Sequence, residues 1–246
     1  MPRLMIERMT ELRLTTAYFA VALIEIVAEY FRDIHPYALY VIYAMKPLIL
    51  IVLALLYWKT SPNVNRLYLA ALSFGWLANL FFISQDFNDI FVGALLFFVY
   101  RALSIFIVMK HIKLPGIFPI VIGCVPFLFI YMYLVNLTYD TIGEGLVIFI
   151  VQCIMVSFLG GLSVGNYMLR SNRASTLLLM STLFFAVTQF IFVVRLYYVN
   201  VNIFQPVAMV LYVIGQYMFY KFLVLSEDKK ANVHIMNHLV KDSEIV

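Results

Sequence analysis

Long apolar stretches separated by short polar segments are the dominant pattern along this chain. Each stretch holds roughly 18–22 residues with few charges, which is the length a helix needs to cross about 30 Å of hydrocarbon. Strands of a membrane barrel would instead alternate apolar and polar residues over about ten residues. The eight stretches run approximately 12–31, 37–58, 67–84, 90–109, 117–137, 144–163, 174–195 and 206–225. The pattern predicts an all-α integral membrane protein, a bundle of about eight transmembrane helices.

Basic residues orient this bundle, because Lys and Arg in short loops are retained on the cytoplasmic side. Only Arg32 and Arg195 fall at one end of the predicted spans, and Lys46, Arg101 and Lys221 fall inside them. The other end carries Arg3, Arg8, Arg13, Lys59, Arg66, Lys110, Lys113, Arg170, Arg173, Lys229, Lys230 and Lys241. We therefore expect both termini in the cytoplasm and, in a bacterial host, a multi-pass protein of the plasma membrane.

The spans leave no room for a soluble domain. We predict one eight-helix transmembrane domain over residues 1–225 and a short cytoplasmic tail over 226–246. The first span is the weakest, because Glu25 and Glu29 lie inside it. The N-terminal segment carries charges of both signs, and no small-residue cleavage site follows a short apolar core, so we do not interpret it as a cleaved signal peptide.

Composition excludes several classes of function. Hydrophobic residues make up 64% of the 246 residues and charged residues 12%, against roughly 45–50% and about 25% in soluble domains. A water-soluble domain of this size cannot bury so much apolar surface. The net charge of +4 is spread over five segments, whereas nucleic-acid binding needs one basic patch. We expect no nucleic-acid partner.

Cysteine and histidine give no sign of a metal or a cofactor. Cys124 and Cys153 lie inside predicted spans, and no zinc-site spacing occurs. His234 and His238 are four residues apart, but an exposed tail explains them more simply than metal binding. No glycine-rich phosphate loop, nucleophile elbow or HExxH motif is present. We expect neither a metal nor a cofactor.

Polar side chains inside the spans are the best functional candidates, because they are costly in hydrocarbon and usually face a bundle interior or a wet cavity. The ionisable ones are Glu25, Glu29, Lys46 and Arg101, and the uncharged ones are Asn79, Gln152, Gln189 and Gln216. At about 1.5 Å per residue, most of them fall in one layer of the membrane. Convergence at one depth favours a polar cavity, although polar pairs also join transmembrane helices structurally.

Two carboxylates share one face of the first span. Glu25 and Glu29 are four residues apart, so they would repel unless a proton or a cation lies between them. Lys46, at similar depth on the next span, is the expected partner of Glu25. Glu29 is nearer the interface, and we expect it to be hydrated. The Glu25–Lys46 pair is either functional or a structural ion pair, and the sequence leaves both open.

The aligned segments resemble the YhhN-like family of eight-span membrane proteins, which includes the lysoplasmalogenases. Span two contains KPLILIVLALLYW, similar to that family's KPL and leucine-rich run. Spans three and four contain YLAALSFGWLANLFF and VGALLFFVY, similar to its small-residue and Gly-Ala-Phe helices. Spans seven and eight contain LFFAVTQFIFVV and LYVIGQYMF, similar to its last two motifs. The resemblance covers about residues 37–225.

Two carboxylates of the family pattern are missing. Its Gly-Asp falls on Gly75–Trp76 and its Ser-Asp on Thr188–Gln189, while Val99 stands where a His is frequent. Lys46 and Gln216 are retained. The resemblance therefore implies the family's bundle and cavity, in a divergent member.

Lysoplasmalogenases, as the resemblance implies, cleave the vinyl ether of a lysoplasmalogen into a fatty aldehyde and a glycerophospho head group. An acid and a base are needed, and buried carboxylates suit this chemistry. With the family carboxylates absent, the candidate catalytic residues are Glu25 and Lys46. The candidate substrate-binding residues are Trp76, Asn79, Arg101, Gln152, Gln189 and Gln216.

Three functions are compatible with these residues. The first is a divergent hydrolase of the lysoplasmalogenase type, and the second is a non-catalytic protein that binds a lysolipid or a partner. The third is a small transporter or membrane sensor. The expected partner is a membrane lipid or lysophospholipid. Gly161 and Gly165 form a GxxxG-like pattern, which we expect to serve internal helix packing rather than a dimer, and the oligomeric state is open.

Overall fold

The computed structural model describes the backbone of residues 2–84, 86–199 and 201–243, and the side chains of residues 8–84, 86–199 and 201–228. Within these residues the fold is all-helical, as predicted, and a 3-10 turn at Gly143–Gly145 separates the fifth α-helix from the sixth. The eight α-helices described are α1 (Pro2–Tyr30), α2 (Pro36–Thr60), α3 (Arg66–Phe81), α4 (Phe87–His111), α5 (Ile117–Ile142), α6 (Leu146–Leu169), α7 (Arg173–Tyr197) and α8 (Phe204–Ser243).

Five of the described segments are long and apolar enough to cross a membrane. They are Pro36–Thr60, Phe87–His111, Ile117–Leu169, Arg173–Tyr197 and Phe204–Asp228. The third is 53 residues long and contains both α5 and α6. Helix α3 has only 16 residues, and α1 carries several charged residues, so neither belongs to this group. The chain is a multi-pass helical membrane protein.

Helix α8 extends beyond the predicted boundary at residue 225. Its backbone continues as one helix to Ser243, so the predicted tail begins as a continuation of the last span. Several residues used in the sequence analysis lie outside the residues whose side chains are described. They are Arg3, Lys229, Lys230, His234, His238 and Lys241.

Local sequence sets several helix ends. Pro36 opens α2, where its fixed φ suits the first helical position. The Asn65 side chain accepts from the Leu67 N–H at the start of α3. Asn172 and Ser175 form a reciprocal capping box at the start of α7. These caps satisfy backbone donors that have no partner inside their helices.

Successive helices pack as pairs, α1 with α2, α3 with α4, α5 with α6 and α7 with α8. We call the end of the bundle where these pairs connect the hairpin end, marked by Arg32, Ile83, Gly143 and Tyr198. Arg32 joins two of the connections by donating to the Ile83 carbonyl. Gly143 allows the tight α5–α6 connection because its φ is 58°, a conformation that favours glycine.

We call the opposite end the terminal end. There Glu11 of α1 and Lys221 of α8 form an ion pair of 2.5 Å. The Tyr57 hydroxyl donates to a Glu227 carboxylate oxygen at 2.6 Å, and the Ser61 hydroxyl donates to the other oxygen at 2.7 Å. These contacts tie helix α8 to α1 and α2. The first half of α1 and the second half of α8 therefore lie at the same end of the bundle, which the charge pattern predicts to be cytoplasmic.

Helix α5 presents a continuous apolar stripe on the outside of the bundle. Phe118, Ile122, Val125, Phe129 and Tyr133 recur at helical spacing and are all exposed. Water would make such a stripe unfavourable, whereas lipid chains cover it at no cost. This face is therefore where hydrocarbon contacts the protein.

The glycines of α6 let α5 and α6 approach closely. A Cβ atom at Gly161 would lie 2.3 Å from the Cys124 sulfur and 2.6 Å from the Ile120 carbonyl oxygen. A Cβ atom at Gly165 would lie 3.1 Å from Pro115, just before α5. The GxxxG-like pattern is thus used inside the bundle, as expected.

Gly161→Ala should destabilise the protein by about 1–3 kcal/mol, the usual cost of overpacking a well-packed contact. Unfolding in mixed micelles with increasing denaturing detergent measures this change. Gly116→Ala is the matched control, because a Cβ atom there meets only Pro119 at 3.8 Å. Equal stability of the two variants would contradict the tight α5–α6 contact.

Candidate functional site

A buried charge cluster joins α1 and α2 toward the hairpin end. Lys46 of α2 contacts both carboxylates of α1, with its ammonium nitrogen 2.5 Å from a Glu29 oxygen and 3.5 Å from a Glu25 oxygen. All three side chains are buried. The four-residue spacing on α1 places both carboxylates on the face toward α2, and Lys46 holds them there.

The burial and pairing of the two carboxylates differ from what their depth in the first span predicts. Glu29 is buried and is the closer partner of Lys46, so the expectation that it is hydrated is wrong. Its carboxylate also accepts from Arg32 at 3.3 Å and from the Gln205 amide at 3.4 Å. Arg32 and Gln205 come from the hairpin end, where they close this side of the bundle. Sequence spacing alone does not predict these contacts.

Glu25 is the less satisfied carboxylate. Both of its oxygens are buried, and neither has a hydrogen-bond partner among the described residues. Its nearest charge is Lys46, at ion-pair distance only. A buried carboxylate that makes no hydrogen bond is costly, so Glu25 is the member of this cluster best placed to hold a proton.

A cavity of about 160 Å³ lies beside this cluster. Its wall on α4 extends from Phe87 to Arg101, about 21 Å of helix at 1.5 Å per residue, so the cavity is elongated along the bundle. The side chains that line it nearest the hairpin end are mainly aromatic and aliphatic. They include Phe82, Phe87, Ile90, Phe91, Ile148, Phe149, Phe192, Val193, Leu196 and Tyr197.

Polar groups gather at the deeper end of this cavity. They are Lys46, Asn79, Arg101, Gln152, Gln189 and Tyr212, while Gln205 and Thr188 are further polar lining residues. Five predicted site residues therefore line one cavity, namely Lys46, Asn79, Arg101, Gln152 and Gln189. The structure thus brings side chains from α2, α3, α4, α6 and α7 to one cavity.

Several of these side chains hold one another in place. Arg101 donates to the Gln189 amide oxygen at 2.5 Å. The Asn79 amide donates to the Tyr212 hydroxyl at 2.9 Å. The Gln152 amide donates to the Ala94 carbonyl at 3.0 Å, and its own amide oxygen is buried without a partner among the described residues.

Three predicted site residues do not line the cavity. Glu25 lies behind Lys46. Gln216 exchanges hydrogen bonds with the Tyr100 hydroxyl, at 2.8 and 3.1 Å. Trp76 is partly buried, and its indole nitrogen has no hydrogen-bond partner among the described residues. Gln216 and Trp76 therefore contribute to packing next to the cavity rather than to its wall.

Sequence reasoning missed Tyr212, Gln205 and Thr188. Tyr212 is one of 17 tyrosines and resembles an interfacial aromatic in the sequence. Gln205 lies at the boundary of the last span, where a polar residue is ordinary. What marks either residue as a cavity residue is that it lies at the same end of the bundle as Gln189. That can be recognised only once the pairing of α7 with α8 is known.

No group of three metal-binding side chains occurs among the described residues. The cavity wall offers one ammonium, one guanidinium and several amide and hydroxyl groups. These groups suit an oxygen-bearing organic ligand.

The sequence pattern that defines the YhhN family matches residues 41–223, about three quarters of the chain. The chain belongs to the YhhN family. No curated protein and no solved structure matches it significantly. The matched region of the YhhN pattern includes every residue that lines the cavity, from Lys46 to Tyr212.

The positions that carry the YhhN resemblance do not all lie at the cavity. Lys46 and Gln189 line the cavity. Gly75 packs against the Tyr100 ring, 3.2 Å from where its Cβ would be. The Gln189 amide oxygen accepts from Arg101, so a carboxylate at this position would face the guanidinium directly.

Lys46→Met should lower the free energy of unfolding by about 3–5 kcal/mol, because it leaves Glu25 buried without a cation and Glu29 with Arg32 alone. Unfolding in mixed micelles measures the change.

Lys221→Met is the matched control. It removes the half-exposed ion pair with Glu11 and should cost less than about 1 kcal/mol. A Lys46→Met variant as stable as this control would show that Lys46 does not hold the carboxylates together.

Proposed function

We propose that this YhhN-family protein hydrolyses the vinyl-ether bond of single-chain ether lipids, as lysoplasmalogenases do. One observation carries the proposal. An elongated apolar cavity leads to Lys46, which bridges two buried carboxylates. A single hydrocarbon chain fits the apolar part, and the charge cluster supplies a proton where the polar part of the lipid would lie.

The reaction requires a proton and a water molecule. A proton is added to the vinyl carbon remote from the ether oxygen, and this forms an oxocarbenium ion. Water then adds to the cationic carbon and loses a proton, which gives a hemiacetal. The hemiacetal hydroxyl then loses its proton as the bond to the glycerol oxygen breaks, and that oxygen takes a proton in exchange. One water is consumed, and an aldehyde and an alcohol are released. General acid–base catalysis contributes about 10²–10⁴-fold to such steps.

Lys46 is the residue that touches the substrate in this scheme, because it lines the cavity and Glu25 does not. Lys46 gives a proton to the vinyl carbon and takes one from Glu25. The Glu25 carboxylate left behind is reprotonated through Lys46, which passes a proton back to it and takes the one that water later loses. Glu29 keeps Lys46 in place through the 2.5 Å contact. Glu25 and Glu29 are thus positioning residues.

Non-catalytic lysolipid binding is the second candidate. No carboxylate lines the cavity among the described residues, so acid catalysis has to pass through Lys46. The transporter alternative is less well supported, because the lining residues extend no further from the hairpin end than Phe185 and Arg101. The cavity formed by the described residues does not run through the bundle.

We further propose that all eight helices cross the membrane, with both termini in the cytoplasm. The charge asymmetry supports this topology, and so does the pairing of α1 with α8 at the terminal end. The membrane would be the plasma membrane in a bacterial host.

Cysteine labelling tests the topology. Asn88→Cys at the hairpin end should react with a membrane-impermeant maleimide in intact cells, and Asn63→Cys at the terminal end should react only after lysis. Both positions are exposed, so accessibility within the fold is matched. The reverse labelling pattern would overturn the orientation, and labelling of both in intact cells would overturn the number of crossings.

Turnover by the purified protein tests the reaction. In detergent, a lysoplasmalogen should release free aldehyde, while the corresponding acyl lysophospholipid should release no fatty acid. Lys46→Gln and Glu25→Gln should each lower the rate by about 10²-fold or more, the contribution of acid–base catalysis. Lys221→Gln is the control and should keep the wild-type rate.

The outcomes separate the candidates. Full activity of Glu25→Gln would show that this residue does not supply the proton. A co-purifying lysolipid with no aldehyde release would favour non-catalytic binding. Absence of both would overturn the proposed function.

A further inference from the structure

Arg101 is a buried cation whose charge is not balanced by a neighbouring acid. Arg101 is 4% exposed. Among the described residues, no carboxylate lies within ion-pair distance of its guanidinium. Guanidinium keeps its charge in proteins. The buried acids Glu25 and Glu29 are engaged with Lys46 and Arg32 instead, so the positive charge of Arg101 stands alone in this layer.

The contacts of Arg101 are few. Its guanidinium donates to Gln189 and lies over the Phe97 ring, 5.0 Å from the ring centroid. Those are its only side-chain contacts of this kind among the described residues, whereas a guanidinium has five N–H donors. Arg101 is itself a residue that lines the cavity, and Gln189 engages only one of its guanidinium nitrogens.

Burial of an unpaired charge in hydrocarbon is expensive, and such residues usually mark ligand or ion sites. Here the one hydrogen bond that Arg101 makes to a side chain leaves other N–H groups of its guanidinium available to a ligand in the cavity. Gln189 fixes the guanidinium through its amide oxygen, so that the fork of N–H donors is held at the cavity wall. This is the arrangement with which proteins hold a carboxylate or a phosphate.

The apolar part of the cavity shows where the rest of that ligand would lie. On α4 the lining residues from Phe87 to Phe97 are apolar, and Arg101 comes one turn later. On α7 the residues Phe192 to Tyr197 are also mainly apolar, and Gln189 comes one turn before them. Hydrocarbon therefore fits next to the hairpin end, and a polar group fits beyond it.

We propose that Arg101 binds the anionic group of a single-chain lipid, which lies with its anionic end innermost and its chain toward the hairpin end. The shared chemistry is an anionic oxygen group, either a carboxylate or a phosphate. This inference deepens the proposed function and rests on its cavity receiving a single-chain lipid. It places the phosphate of a lysolipid at Arg101 and the start of its chain beside Lys46.

The test is a binding titration on the intact protein in neutral detergent. The probes are palmitate, hexadecyl phosphate, hexadecanol and inorganic phosphate, each followed by native mass spectrometry. Palmitate and hexadecyl phosphate distinguish a carboxylate from a phosphate on the same chain. Hexadecanol reports the chain without the charge, and inorganic phosphate reports the charge without the chain.

Arg101→Gln should weaken binding of the preferred anionic lipid by roughly 10- to 100-fold, the effect of losing hydrogen bonds to a charged group. Hexadecanol binding should be unchanged, and inorganic phosphate alone should bind weakly to either protein. Arg101→Lys keeps the charge and should recover part of the loss. Arg66→Gln, at an exposed arginine of the terminal end, is the control and should bind as the wild type does.

Two results would overturn the inference. One is unchanged binding of both anionic lipids to Arg101→Gln. The other is an equal loss of hexadecanol binding, which would show that Arg101 only supports the fold.

The proposed reaction can fail separately from this inference. Arg101-dependent binding without aldehyde release would refute hydrolysis and keep the anion site. Aldehyde release with an unchanged KM in Arg101→Gln would refute the anion site and keep hydrolysis.

Discussion

The ion pair between Lys46 and Glu29 is the interaction on which the rest of the site depends. In hydrocarbon no water can solvate either charge, so each must find its partner inside the protein. That requirement fixes α1 against α2, and Glu29 in turn draws in Arg32 and Gln205 from the hairpin end. The loops that close this end are therefore positioned by the same carboxylate that holds the lysine at the cavity wall.

The cavity results from how side chains of different size and polarity meet across the helix pairs. Aromatic rings of α4 and α7 line the cavity without filling it, while glycines bring α5 and α6 into close contact elsewhere. Polar groups at the deep end satisfy one another in pairs, such as Asn79 with Tyr212. Arg101 is the exception, because it is charged and its one hydrogen-bond partner, Gln189, is neutral. Of the two cations that line the cavity, Lys46 is therefore paired with carboxylates and Arg101 is not.

Much of this arrangement is predictable from the sequence, and the reasons differ by residue. Lys46, Gln152 and Gln189 are recognisable because each interrupts an apolar run at a similar depth. The GxxxG-like pattern at Gly161 indicates close helix packing, because glycine has no side chain to keep a neighbouring helix away. By contrast, the burial of Glu29 depends on Arg32 and Gln205, which meet only when three connections assemble. Tyr212 escapes notice because a tyrosine in a span is consistent with either lipid or protein surroundings, and only the tertiary fold selects between them.

The shortness of α3 has a consequence for the surrounding bilayer. Sixteen residues rise only about 24 Å, less than the roughly 30 Å thickness of a hydrocarbon core. With α3 crossing as proposed, this hydrophobic mismatch thins the adjacent leaflet or draws the α3–α4 connection below the headgroups. Phe82 and Phe87, which flank that connection, line the cavity. That end of the cavity would then lie level with acyl chains, so that a lipid would reach it sideways from the leaflet without crossing water.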